Sequence, residues 1–158
     1  MIDIEKIDTA EALHGLKPIW NSLLSKSASN TLGLTWEWMT TWWEVFGEGR
    51  QLCVLVVRDG GEVIGIAPLL KRTVQYYGLL SYERLEFLGS GEDEADEICT
   101  EYLDFILLAG REEEALSSIF EYLDRKESFD EILLANVVEE SVCLPVISNL
   151  AAKAGAIV

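Results

Sequence analysis

The stretch from Leu52 to Leu70 limits what this chain can fold into more than any other. Leu52 to Val57 is a continuous apolar run rich in valine, which reads as a strand buried on both faces. Asp59-Gly60-Gly61 follows as a hairpin turn, because glycine reaches left-handed backbone conformations without steric cost. Val63 to Leu70 is the partner strand, and Lys71-Arg72 ends it. A lone two-stranded hairpin is marginal in water. The rest of the chain must therefore supply more sheet and cover it.

Ile2, Ile4 and Ile7 alternate among charges and predict a short first strand. Asp8 or Thr9 can cap a helix, with Glu11 placed to answer an Asp8 cap. Leu13, Leu16, Trp20, Leu23 and Leu24 recur at helical spacing, and Pro18 predicts the start of a second helical piece. Residues 25–33 form a polar loop. Thr35 caps the next helix, whose apolar face is Trp38, Met39, Trp42, Trp43 and Phe46, with Gly47 as terminator. Residues 75–80 read as a loop or frayed strand, 84–88 as a strand, 89–100 as a loop and 102–108 as a strand. Helices over 112–125 and 142–154 bracket a strand over 131–137, and Gly155 stops the last helix. Ala156, Ile157 and Val158 begin another strand, which leads us to expect that the natural protein continues beyond Val158. A short final edge strand is the alternative.

With 158 residues, 49% of them hydrophobic, the chain has enough for one domain with a core and too little for two. Its net charge of −16 repels phosphate backbones and anionic membrane surfaces, so we expect no nucleic-acid partner. No segment approaches the roughly 20 apolar residues of a membrane span, and the opening residues lack a signal-peptide pattern. The cytoplasm is the expected compartment, with no membrane insertion. Cys53, Cys99 and Cys143 are widely spaced without a CxxC pair, so neither a metal site nor a disulfide framework is expected. His14 is the sole histidine and no Gly-x-Ser-x-Gly elbow exists, which argues against a Ser-His-Asp triad. The acidic loop from Glu92 to Glu101 lacks the rhythm of a calcium loop and reads as solvated.

Trp36, Trp38, Trp42 and Trp43 cover more than one face of their helix. Three uses stand open: packing against a further domain, a stacking platform for a sugar or peptide, or core. Lys71 and Arg72 could meet an anionic ligand group at the same cleft, or lie solvated at a strand end.

Several motifs narrow the family. Trp36-Glu37-Trp38 with Trp42-Trp43-Glu44-Val45-Phe46-Gly47 resembles the tryptophan-rich helix of CelD-like proteins, members of the GNAT acyltransferase superfamily. The hairpin from Val56 to Leu69, ending on Ala67-Pro68-Leu69, is similar to theirs. So are Leu85-Glu86-Phe87-Leu88-Gly89-Ser90-Gly91 and Tyr102-Leu103-Asp104-Phe105. The resemblance implies an α/β fold with a GNAT-like mixed central sheet flanked by helices. It also implies tandem halves, as in the Fem peptidyltransferases, with this chain as the N-terminal one. The family is linked to cellulose and other exopolysaccharide synthesis. Its acyl-CoA signature lies in the C-terminal half, so acetyl-CoA or another acyl-CoA is implied there. That C-terminal half, or a second copy of this domain, is the implied partner.

A GNAT domain grips pyrophosphate with a glycine-rich loop at a helix N-terminus. The matching stretch here, Leu107 to Ala115, has one glycine and three consecutive glutamates, Glu112, Glu113 and Glu114. We expect no cofactor site in this chain. Glu101 and Asp104 sit where superfamily bases often lie and are the catalytic candidates; otherwise Glu101 is solvated and Asp104 a structural acceptor. Tyr102 joins Trp36, Trp38, Trp42, Lys71 and Arg72 as a substrate-side candidate. The competing reading is a stand-alone, non-catalytic binding or dimerisation module. A third is a self-sufficient enzyme with a degenerate cofactor loop.

Overall fold

The computed structural model describes residues 1–96, 98 and 100–154. The expected stop at Gly155, the strand over 156–158 and Cys99 lie outside the described residues.

The fold is mixed α/β. In chain order the elements are β1 (Ile2–Ile7), α1 (Ala10–Gly15), α2 (Lys17–Leu24), a 3-10 turn (Leu32–Leu34) and α3 (Trp36–Phe46). Next come β2 (Gln51–Leu52), β3 (Val54–Asp59), β4 (Glu62–Ala67), β5 (Leu69–Tyr76) and β6 (Leu80–Phe87). A second 3-10 turn (Glu94–Asp96), β7 (Ile106–Leu107), α4 (Glu112–Lys126), β8 (Glu131–Leu133) and α5 (Cys143–Ala154) complete it.

The strands form two four-stranded ladders, β1-β3-β4-β7 and β2-β5-β6-β8. They are continuous through two breaks. Cys53 separates β2 from β3 while its N–H still bonds Leu69. Pro68, with no N–H to give a ladder, separates β4 from β5, and its carbonyl accepts from Leu88. The two uninterrupted strands expected over 52–57 and 63–70 are thus each broken once. The strand also does not end at Lys71-Arg72. It runs to Tyr76, and 80–83, read partly as loop, is strand pairing back on 73–76.

β6 and β7 both pair antiparallel with the β4–β5 lane, β6 along its later half and β7 along its earlier half. They share one lane, interrupted by a long excursion over residues 88–105. After α4, β8 returns parallel to β6. Two expected strands are shorter than predicted. In 102–108 only Ile106–Leu107 is strand, and Tyr102 has a φ of +60°. In 131–137 the ladder stops at Leu133, and Asn136 takes a φ of +61° while its carbonyl accepts from Leu103.

Val54 to Val57 are all fully buried, as a strand covered on both faces requires. α4 packs over β1, β3 and β4. Gly65 permits that approach, since a Cβ there would lie 3.1 Å from Ala115 Cβ. α2 packs over β4 and β7. Thr9, rather than Asp8, caps α1 by accepting from Ala12, and Thr35 caps α3 by accepting from Trp38. Gly47 does end α3, but for an unexpected reason. Its φ is −72°, so no left-handed turn demands glycine. A Cβ would instead lie 2.5 Å from the Trp43 carbonyl oxygen.

Candidate functional site

Two regions concentrate polar chemistry. The first is an open cup of about 480 Å³ at the start of α4, lined by Gly110, Arg111, Glu112, Glu113, Glu114 and Ser117. Gly110 turns the chain there with a φ of +85°. Helix N-termini favour anions because backbone N–H groups point outward. Here three carboxylates already occupy that first turn. Arg111 is the cup's one cation and is engaged twice, donating to Asp59 Oδ2 at 2.9 Å and to Glu114 Oε2 at 2.5 Å. Asp59 also accepts from the Met1 ammonium at 2.9 Å, and that ammonium, followed by Arg111, holds its carboxyl below the usual range. This donor set does not fit a pyrophosphate: its carboxylates repel one and its guanidinium is taken.

The second region is the excursion over 88–105, fastened by α3. Trp42 and Trp38 lie one helical turn apart and so share a face. The Trp42 indole donates to Glu92 at 3.3 Å, where the acidic run begins, and Trp38 to Thr100 Oγ1 at 3.2 Å, near its far end. Arg50 donates to the Gly91 carbonyl at 2.5 Å and lies over the Trp42 ring. Thr31 Oγ1 donates to the Tyr102 carbonyl. Gly33 is needed under this limb, since a Cβ would lie 2.9 Å from Thr100 Cγ2.

Below the return limb sits Asp104, 3% exposed. Its Oδ2 accepts from Ser141 Oγ at 2.6 Å and from Ser29 Oγ at 2.9 Å, and its Oδ1 from the Phe105 amide at 2.8 Å. Both oxygens are committed. Burial, followed by the Asp104 charge, pushes the neighbouring Cys143 thiol well up. Glu101 is exposed to solvent.

The remaining candidates separate. Lys71 and Arg72 are consecutive in β5 and point to opposite faces. Lys71 pairs with Glu127 at 3.7 Å, and Glu127 also accepts from Lys6 at 2.5 Å. Arg72 Nε lies 2.6 Å from Glu86 Oε1, though neither atom makes an aligned hydrogen bond. Trp36 is remote from the loop, donating to the Leu13 carbonyl under Lys17 and beside His14. Tyr102 is half exposed. None of the five tryptophans is exposed, and four indole N–H groups have partners within the chain.

Sequence reasoning missed Glu86, which is 1% exposed beneath Gly91. Burial pushes its carboxyl up against the opposing pull of Arg72, Arg84 and Arg50. The signal was available in the period of two along Tyr82, Arg84 and Glu86. Ending β5 at Arg72 hid it, because Arg72 pairs directly with Arg84 across the hairpin.

Among the described residues no group of histidine, cysteine, aspartate and glutamate could hold a metal, and no helix is long and apolar enough to cross a membrane. No family model matches the chain, and no curated protein matches its sequence. Solved structures similar to it include two acetyltransferases. One is an aminoglycoside acetyltransferase from an uncultured soil metagenomic sample, with a TM-score of 0.49 and 10% identity, covering 100% of this chain and 93% of that one. The other is a ribosomal-protein-alanine N-acetyltransferase from Brucella melitensis biovar Abortus 2308, with a TM-score of 0.45 and 10% identity, covering 100% and 92%.

Proposed function

We propose that this chain is a GNAT-type domain of an acyltransferase that binds no acyl-CoA itself. In this reading it is the N-terminal, CelD-like domain. It shapes the acceptor side of a cleft, while a C-terminal half holds acetyl-CoA or another acyl-CoA in the cytoplasm. The observation that carries the reading is the cup at α4, where Glu112, Glu113 and Glu114 crowd the first turn of the helix and Arg111 is held by Asp59 and Glu114. The tryptophan-rich helix and the three other quoted motifs support the CelD-like part of the reading.

Calorimetric titration with acetyl-CoA tests it. The expected result is no binding heat up to about 1 mM ligand. Micromolar binding to this chain would sink the reading and favour a self-sufficient enzyme.

A further inference from the structure

The β5–β6 hairpin outruns the rest of the sheet. β2 pairs with β5 only at Leu70 and Lys71, and β8 pairs with β6 only from Arg84 to Glu86. Beyond those points residues 73–76 and 80–83 form ladder pairs only with each other among the described residues. The ribbon ends in Tyr76, Tyr77, Leu79 and Leu80, all exposed, Tyr77 at 84% and Leu79 at 88%. Tyr77 takes a φ of +50°, a conformation unfavourable to any residue with a Cβ. A solvent-facing turn has no need of two tyrosines and two leucines.

Exposed sheet edges are normally blunted by charge, proline or a bulge. From Val74 to Tyr82 there is no charged residue and no proline, in a chain where 25% of residues are charged. That gap selects the occupant. Two copies each carrying −16 repel across most faces. They can meet closely where charge is missing, and the open side of β5 offers unpaired backbone groups to an identical strand.

We propose that this ribbon is a self-association surface, on which a second copy of the chain adds its β5 antiparallel to this one about a two-fold axis near Gln75 and Tyr76. Such a contact is self-complementary and closes at a dimer. If each copy buries roughly 100–150 Å² from each of its four apolar tip residues, the total is about 1,000 Å², the size of a weak, transient interface. The inference does not depend on the reading of the α4 cup. Acetyl-CoA binding would overturn that reading and leave this one standing.

Sedimentation equilibrium from about 1 µM to about 1 mM tests it. The mass should rise from 17.7 kDa toward twice that value. Alternate backbone amides over 72–76 should exchange more slowly as concentration rises. Leu79→Glu and Gln75→Glu should each weaken association at least about tenfold, with thermal unfolding of the monomer unchanged. Both positions are exposed, and either variant alone suffices should the other fold poorly. A mass fixed at 17.7 kDa throughout, or equal dimerisation by both variants and the parent, would overturn the proposal.

Discussion

The start of α4 and the turn at Asp104 both gather carboxylates, and solvent access gives them opposite consequences. At α4, Glu112, Glu113 and Glu114 face an open cup. Water screens them, so they contribute only about 0.3–1 kcal/mol each to the helix. Their larger effect is to repel anions. Asp104 is a single carboxylate away from water, and it gathers two serine hydroxyls and an amide from segments 75, 37 and one residue away. The same functional group therefore governs binding in one place and holds chain segments together in the other.

The largest expected effect comes from emptying the buried end of this comparison. Asp104→Ala leaves three donors without their acceptor and should cost about 3 kcal/mol, read as a lower urea midpoint. A loss below about 1 kcal/mol would mean that water replaces the carboxylate, and the contrast would weaken. Gly91→Ala comes next. Its Cβ would lie 2.1 Å from Glu86 Oε1 at a φ of +82°, and about 2 kcal/mol should be lost.

Cys53 sharpens the buried side by pH. Burial, followed by the Glu127 charge, pushes its thiol up to about 11 from 9.0. A thiol raised in the folded state favours folding below the unfolded value. That contribution, on the order of 2 kcal/mol, should disappear as pH climbs from 9 to about 11. Denaturant midpoints of the parent and Cys53→Ala should converge over that window, and parallel curves would contradict the assignment.

The open end predicts a gain of binding rather than a loss. Replacing Glu112, Glu113 and Glu114 by glutamine together with Asp59→Asn removes four negative charges and frees Arg111. Stability should fall by only about 1–2 kcal/mol, while pyrophosphate binding appears in calorimetry at roughly millimolar affinity. Trp38→Phe, at a half-buried position, should have the smallest global effect. Losing one indole donor costs about 1 kcal/mol, and faster proteolysis between Glu92 and Thr100 should report it.

Much of the architecture was legible because local rules govern it. Val54 to Val57 need no partner to declare a doubly covered strand, and Thr35 and Pro18 mark helix starts by their own chemistry. What escaped depended on distant pairing. Nothing local says that 80–83 is strand, since its case rests on 73–76 lying opposite. Nothing local says that Glu86 meets Arg72 or that Trp38 and Trp42 reach ahead some 50 residues or more to fasten a loop. Lys71 and Arg72 looked like one basic pair, yet the pleat sends them to opposite faces. The acidity of the α4 cup, by contrast, was readable directly, because Glu112 to Glu114 are consecutive.

The interruption of one strand lane by residues 88–105 has a consequence for how the molecule can be divided. β6 and β7 take their ladder bonds from β5 and β4, not from each other. The two limbs of the loop are tied down separately, through Trp42 and Arg50 on one side and Trp38 and Asn136 on the other. A break between those anchors would cut no ladder formed by the described residues. Two fragments, one ending and one beginning inside the acidic run, should thus reassemble when mixed, making this loop the natural place to split the domain into complementing halves or to splice in a foreign sequence.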